Sequence, residues 1–187
     1  MKRKLAPGII LLVGPKHSGK TSVGRILAPL LSGEFTDLDE VIETQTGTSP
    51  RELYKKGAQV FRDAEFNALE SLLAGSGKNS SIRVIAAGGG IIDNPLAMER
   101  LGRANRILLV YLELSPETAW ERIRLAAEKT GELPPFLVTE NPQDTHRALH
   151  ERRAEAYRKA ADRIILTEQK TPEMIAREIK NGFEIRV

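Results

Sequence analysis

The chain has 187 residues, of which 41% are hydrophobic, a formal net charge of +3 and no cysteine. This suits one globular domain and excludes a disulfide framework or a thiolate metal site. No apolar run is long enough to span a membrane. The mild positive charge, with no basic stripe interleaved with aromatics, points to small anionic partners and away from nucleic acid.

The first residues, Met1-Lys2-Arg3-Lys4, are basic, as the start of a signal peptide is. The apolar run after them is too short for a signal core and ends in a glycine loop. No targeting segment is expected, and the location expected is cytoplasmic. That run, Ile9-Ile10-Leu11-Leu12-Val13, reads as a fully buried parallel strand. Gly14-Pro15-Lys16-His17-Ser18-Gly19-Lys20-Thr21 follows at once and fits G-x-x-x-x-G-K-[ST], the phosphate-binding loop pattern. Glycines let the backbone wrap around a polyphosphate so that successive N–H groups point at its oxygens. The candidate nucleotide-binding set is Gly14, Pro15, Lys16, His17, Ser18, Gly19, Lys20, Thr21 and the adjoining Ser22. Lys20 reaches the terminal phosphates, and the Thr21 hydroxyl can ligate Mg²⁺. Val23, Ile26, Leu27, Leu30 and Leu31 then recur at helical spacing, so strand, loop and helix come in the required order.

A short strand near Glu34–Thr36 leads into Phe35-Thr36-Asp37-Leu38-Asp39. Ligands of open α/β sheets gather at the carboxyl ends of strands. Two carboxylates there can divide the work, one holding the magnesium shell and one orienting or deprotonating a substrate hydroxyl. Ser49-Pro50-Arg51-Glu52 marks a helix start, with a cap, a first-turn proline and a capping-box glutamate. Farther on, Arg62, Phe66, Leu69 and Leu73 fall on one helix face. An arginine on that stripe needs a partner, either Glu65 at i+3 or a substrate carboxylate. Gly75 to Ser81 reads as a polar, mobile loop without chemistry.

Strand Arg83–Ala87 runs into Gly88-Gly89-Gly90, which suits either a tight turn or backbone approaching a ligand. Ile107–Leu112 and Arg163–Leu166 complete the strands, and their alternation with helical segments predicts a parallel α/β sheet. Ser115-Pro116 and Thr171-Pro172 repeat the cap-then-proline start, and Gly182 is a stop signal for the last helix. Gly131 to Asp144, with paired prolines and no period, reads as a lid or as a surface loop. A helix is expected from about Asp144 to Ala161. His146 and His150 are four apart on it with no third metal ligand, so a solvated face is expected. Leu149, Arg153 and Tyr157 share another face, with Arg152 pointing elsewhere; Arg153 either snorkels to solvent or meets an anionic substrate.

Taken together these pieces resemble the shikimate kinases. The matching segments are the loop Gly14–Thr21, Phe35–Asp39, Ile42-Glu43-Thr44-Gln45-Thr46-Gly47, Phe61-Arg62-Asp63-Ala64-Glu65, Gly88–Gly90 and Arg153–Tyr157, with Ala161-Asp162 after them. The resemblance implies a nucleoside-monophosphate-kinase-like P-loop fold in three layers. It implies a parallel five-stranded sheet, a substrate-binding region at about 37–66 and a lid at about 129–145. It implies transfer of the terminal phosphate of ATP to the 3-hydroxyl of shikimate, on the route to chorismate and the aromatic amino acids, by a chain expected to be monomeric. By position, Asp37 joins Thr21 in organising Mg²⁺, and Asp39 binds the shikimate hydroxyls and is the base. Lys20 acts at the chemical centre, Arg62 and Arg153 clamp the carboxylate, and Gly88, Gly89 and Gly90 line the substrate pocket. The chain departs from the family in its lid, where Pro134-Pro135-Phe136-Leu137 stands in place of R-P-L-L, and Arg122, Lys129 and Arg147 are the cations considered as substitutes. Glu155 also replaces the proline of R-x-P-x-Y. A gluconate kinase would need a histidine soon after its acidic motif, and none follows Asp39 before His146. A nucleotide-binding protein without kinase activity is the other alternative.

Overall fold

β1 (Ile9–Val13) is buried at every position. Burial on both faces is why its sequence is a continuous apolar run and does not alternate. The computed structural model describes residues 8–74, 81–104 and 106–184. The polar loop read at Gly75 to Ser81 therefore lies outside the described residues except for Ser81. β1, β2 (Glu34–Asp37), β3 (Arg83–Ala86), β4 (Ile107–Glu113) and β5 (Arg163–Leu166) form one sheet in the order β2-β3-β1-β4-β5. Every pairing is parallel, with Ile10 level with Val84 on one side and Leu108 on the other. The expected strands are all present, with ends shifted by at most one residue.

The pleat divides β1 between two cores. Ile9, Leu11 and Val13 pack with Leu38 and Ile42 of α2 (Leu38–Thr46), Leu53 of α3 (Pro50–Lys56), Leu69 of α4 (Ala58–Ala74), Leu101 of α5 (Pro95–Gly102) and Tyr157 of α7 (Pro142–Ala160). Ile10 and Leu12 pack with Val23 and Leu27 of α1 (Lys20–Leu30) and with Ile175 and Ile179 of α8 (Pro172–Glu184). This makes three layers, with α6 (Pro116–Thr130) packed against α7. No helix among the described residues is long and apolar enough to cross a membrane.

The cap-then-proline starts form as expected: Ser49, Ser115 and Thr171 each accept a first-turn N–H at 3.3 Å. Two expectations fail. Gly182 does not stop α8, which continues to Glu184. A Cβ at Gly182 would lie 1.8 Å from the Arg163 guanidinium, so it is close packing that favours glycine there. His146 and His150 do not lie on a solvated face; both are buried. The Trp120 ring of α6 covers His146 at 5.6 Å, the two imidazoles are 5.4 Å apart, and His150 Nε2 lies 2.9 Å from the Leu114 carbonyl. Burial first, then the neighbouring His150 and Arg153, pushes His146 down to about 4, which keeps it neutral.

Because all strands run in parallel, their carboxyl ends share one edge of the sheet. Gly14 follows β1, Asp37 ends β2 and Gly88 follows β3, so the three motifs meet where β1, β2 and β3 end.

Candidate active site

The phosphate-binding loop is built by backbone geometry. Gly14 has φ of 145°, and a Cβ there would stand 2.5 Å from the Leu112 carbonyl, so only glycine fits. Gly19, at φ of 93°, starts α1 with no side-chain cap and no acidic residue in the first turn. The free N–H groups and the positive end of the helix dipole suit an anion. Lys20 is buried beneath the loop, donating to the Gly14 carbonyl at 3.0 Å and the Pro15 carbonyl at 2.7 Å. Burial lowers its pKa to about 8, while Asp39 and Asp37 oppose the shift. His17 is the loop's strained position, a non-glycine residue at φ of 61°. A left-handed side chain costs roughly 1 kcal/mol, so His17→Gly should raise the unfolding midpoint by about 2–4 °C in calorimetry. An unchanged or lower midpoint would mean that the His17 side chain offsets its own strain.

Asp37 caps α2, accepting the Asp39 N–H at 3.1 Å on Oδ1. Its Oδ2 accepts the Thr21 hydroxyl at 2.7 Å. Thr21 and Asp37 thus form one preassembled oxygen pair beside the loop, a donor set that fits Mg²⁺. Asp39 sits in the first turn of α2 with its Oδ1 buried and without a hydrogen-bond partner. Burial, then the Asp37 charge, raises its pKa, against the pull of Lys20 and Lys16.

The glycine run is a matter of close approach, since none of its three members has positive φ. A Cβ on Gly88 would lie 3.3 Å from Asp39 Oδ1 and 3.2 Å from Glu65 Oε1; one on Gly89 would lie 3.0 Å from the Lys16 nitrogen; one on Gly90, 3.1 Å from Arg153 Nη2. The run therefore lies against the loop, both carboxylates and the second arginine at once.

Glu65 corrects the reading of α4. It is fully buried, while Arg62 is half-buried. No Arg62–Glu65 pair forms: Asn94 Nδ2 donates to Glu65 Oε2 at 3.0 Å and to the Arg62 carbonyl at 2.8 Å. Burial pushes Glu65 up to about 7, with the Asn94 hydrogen bond acting against it. Arg62 Nε is buried without a partner, and Arg62 lines an open cleft with Asp93 and Arg152. Arg153 neither snorkels nor stands free. Its Nε and Nη2 donate to Asp93 Oδ2 at 2.8 and 2.7 Å. Arg152, expected to point elsewhere, returns to the same carboxylate at 2.7 and 3.0 Å. The Arg153 Nη1 and the Tyr157 hydroxyl both reach the Gly89 carbonyl, at 3.4 and 3.3 Å.

Comparison with known proteins matches this arrangement to a family. The family profile for shikimate kinase matches residues 16–184. The shikimate kinase of Thermodesulfovibrio yellowstonii is 35% identical over 176 residues, which cover 94% of each chain. The chain belongs to the shikimate kinase family. Among solved structures, a shikimate kinase from Acinetobacter baumannii in complex with shikimate has a TM-score of 0.81 at 33% identity, covering 97% of this chain and 95% of that one. A gluconokinase from Sinorhizobium meliloti, at 18% identity and a TM-score of 0.63, covering 96% of this chain and 93% of that one, shares the fold alone.

The stretch expected from the sequence to be a lid is anchored to the rest of the fold. Pro135–Leu137 forms a 3-10 turn with Leu137 fully buried. Arg51 pairs with Glu132 and donates to the Leu133 carbonyl at 3.1 Å. The Phe136 ring lies 6.4 Å from that of Tyr54 and 5.7 Å from the Arg153 guanidinium. Glu155, which replaces the proline two residues after Arg153, is exposed and paired with Lys159 at 2.6 Å.

Sequence reasoning named Arg122 and Lys129 as candidate cations but missed the rest of the wall they belong to, Leu125, Lys170 and Pro172. A cleft of about 610 Å³ runs from the loop to Arg122, Leu125, Lys129, Lys170 and Pro172. Arg122 Nη1 donates to the His17 carbonyl at 2.9 Å. The one available signal was Thr171-Pro172, a marked helix start just past a strand's carboxyl end.

Proposed function

We propose that this chain transfers the terminal phosphoryl group of ATP to the 3-hydroxyl of shikimate. The observation that carries this reading is the orphaned Asp39 Oδ1. It lies against Gly88, just past the end of β3, within electrostatic reach of Lys20 and Lys16 of the loop. An acceptor hydroxyl is the group that such an oxygen needs.

In this reading the triphosphate lies along the free N-terminus of α1, with its base in the cleft toward Arg122 and Pro172. Lys20 leaves the loop carbonyls for the terminal phosphates. Thr21 and Asp37 would hold Mg²⁺, which supplies neutralisation of phosphate charge when bound. Arg62 and Arg153 take the shikimate carboxylate, and Gly88, Gly89 and Gly90 floor the pocket. Asp39 orients the 3-hydroxyl and accepts its proton as the oxygen bonds to phosphorus and the bond from phosphorus to ADP breaks. Residues 37–66 act as the substrate-binding region and 129–145 as the lid that keeps water from the phosphoryl group.

The test is an ADP-release assay with ATP and Mg²⁺, run with shikimate, with gluconate and without an acceptor. Turnover that needs shikimate, and that EDTA stops, is the expected result. ATP binding without shikimate-dependent turnover would leave a nucleotide-binding protein and remove the kinase reading.

A further inference from the structure

Phosphoryl transfer concentrates negative charge between the nucleotide and the acceptor, and cations there lower the barrier. The cations considered from the sequence stand elsewhere. Arg122 and Lys129 both line the nucleotide cleft, where Arg122 holds the His17 carbonyl, and Arg147 is paired with Glu117 at 3.0 Å. Arg51 is committed to Glu132. Lys20 approaches from beneath the loop.

Lys16 is placed differently. Its side chain is exposed and, among the described residues, has no hydrogen bond or ion pair. It borders a crevice with Phe136, Arg153, Tyr111 and Tyr157, on the acceptor side of the loop. Its backbone nitrogen lies against Gly89, 3.0 Å from where a Cβ would stand. Desolvation lowers the pKa of its ammonium, and the Asp39 carboxylate opposes that shift. Phe136, in the stretch that carries no cation, borders the same crevice.

We propose that the Lys16 ammonium is a catalytic cation that meets the transferring phosphoryl group from the acceptor side. It neither gains nor loses a proton in the step. The acceptor oxygen bonds to phosphorus, the bond to ADP breaks, the proton goes to Asp39, and Lys16 balances charge on the phosphoryl oxygens. The unpaired, flexible side chain suits a group that must follow the phosphorus as it moves. The inference rests on the kinase reading above.

The experiment measures shikimate-dependent turnover and, separately, ATP affinity by calorimetry, for wild type, Lys16→Met and Lys16→Arg. Lys16→Met should lower kcat by about 10²–10³ while ATP affinity stays within about threefold, because the lost interaction belongs to the transition state. Lys16→Arg should keep most of the activity, because the charge remains. An undiminished kcat in Lys16→Met would overturn the inference. So would ATP affinity falling in step with kcat, which would make Lys16 a nucleotide anchor. A wild type that turns over no shikimate sinks the kinase reading and this inference together. A wild type and a Lys16→Met that are equally active sink this inference alone.

Discussion

Replacing Asp39 with asparagine should lower kcat for shikimate phosphorylation by about 10³, near the middle of the range for loss of a positioned general base. The amide keeps the size and hydrogen-bonding reach of the carboxylate, and α2 keeps its cap because Asp37 accepts the residue 39 backbone N–H. What is lost is the basic oxygen, the one left buried without a partner over Gly88. ATP affinity should hold or improve, because a negative charge near the phosphates has gone. Single-turnover kinetics and calorimetric ATP binding separate the two effects. Turnover near that of wild type would take Asp39 out of the mechanism. The same assignment gives an acid limb to kcat/KM in the wild type. The limb should lie above the ordinary aspartate range, because burial and Asp37 raise the Asp39 pKa, and activity falls as that carboxylate is protonated.

The second large effect is expected at Arg153. Arg153→Ala should raise the KM for shikimate by a factor on the order of 10²–10³, from the roughly 2–5 kcal/mol lost when one partner of a hydrogen-bonded charge pair is truncated. The KM for ATP should change little, since Arg153 does not line the cleft that runs along Lys20 and Thr21 to Arg122. Asp93 would still hold Arg152, so the turn after Gly90 keeps an ion pair. Arg153→Lys restores charge without the fork and should recover part of the affinity. A variant in which the ATP KM alone moves would refute the carboxylate assignment for Arg153.

The sequence made the phosphate loop, the Asp37–Asp39 pair and the strand segments before them readable for one reason. Each depends on a few adjacent residues whose backbone shape is fixed locally. Glu65 and Asp93 were not readable in that way. Glu65 is buried because α4 turns it toward Asn94 and Gly88, residues that arrive from the far end of β3. Periodicity alone set Arg62 on the stripe, although Glu65, Ala68 and Leu69 share the more buried face. The convergence of Arg152 and Arg153 on Asp93 joins α7 to the turn after the glycines, a contact across the fold. His146 and His150 were misplaced because their cover, Trp120, comes from a different helix. The nucleotide cleft draws its walls from α1, α6 and the start of α8, so no single stretch of chain could announce it.

The two orphaned carboxylate oxygens above Gly88 tie the chain's stability to its ligands. Unpaired buried acceptors are a standing cost to the free protein, on the order of 1–3 kcal/mol for each group left without a donor. A bound hydroxyl would satisfy Asp39 and a cation or proton would relieve Glu65, so occupancy and folding are thermodynamically linked. The protein is then least durable when it is empty, and starvation for the acceptor would also shorten the lifetime of the catalyst that consumes it.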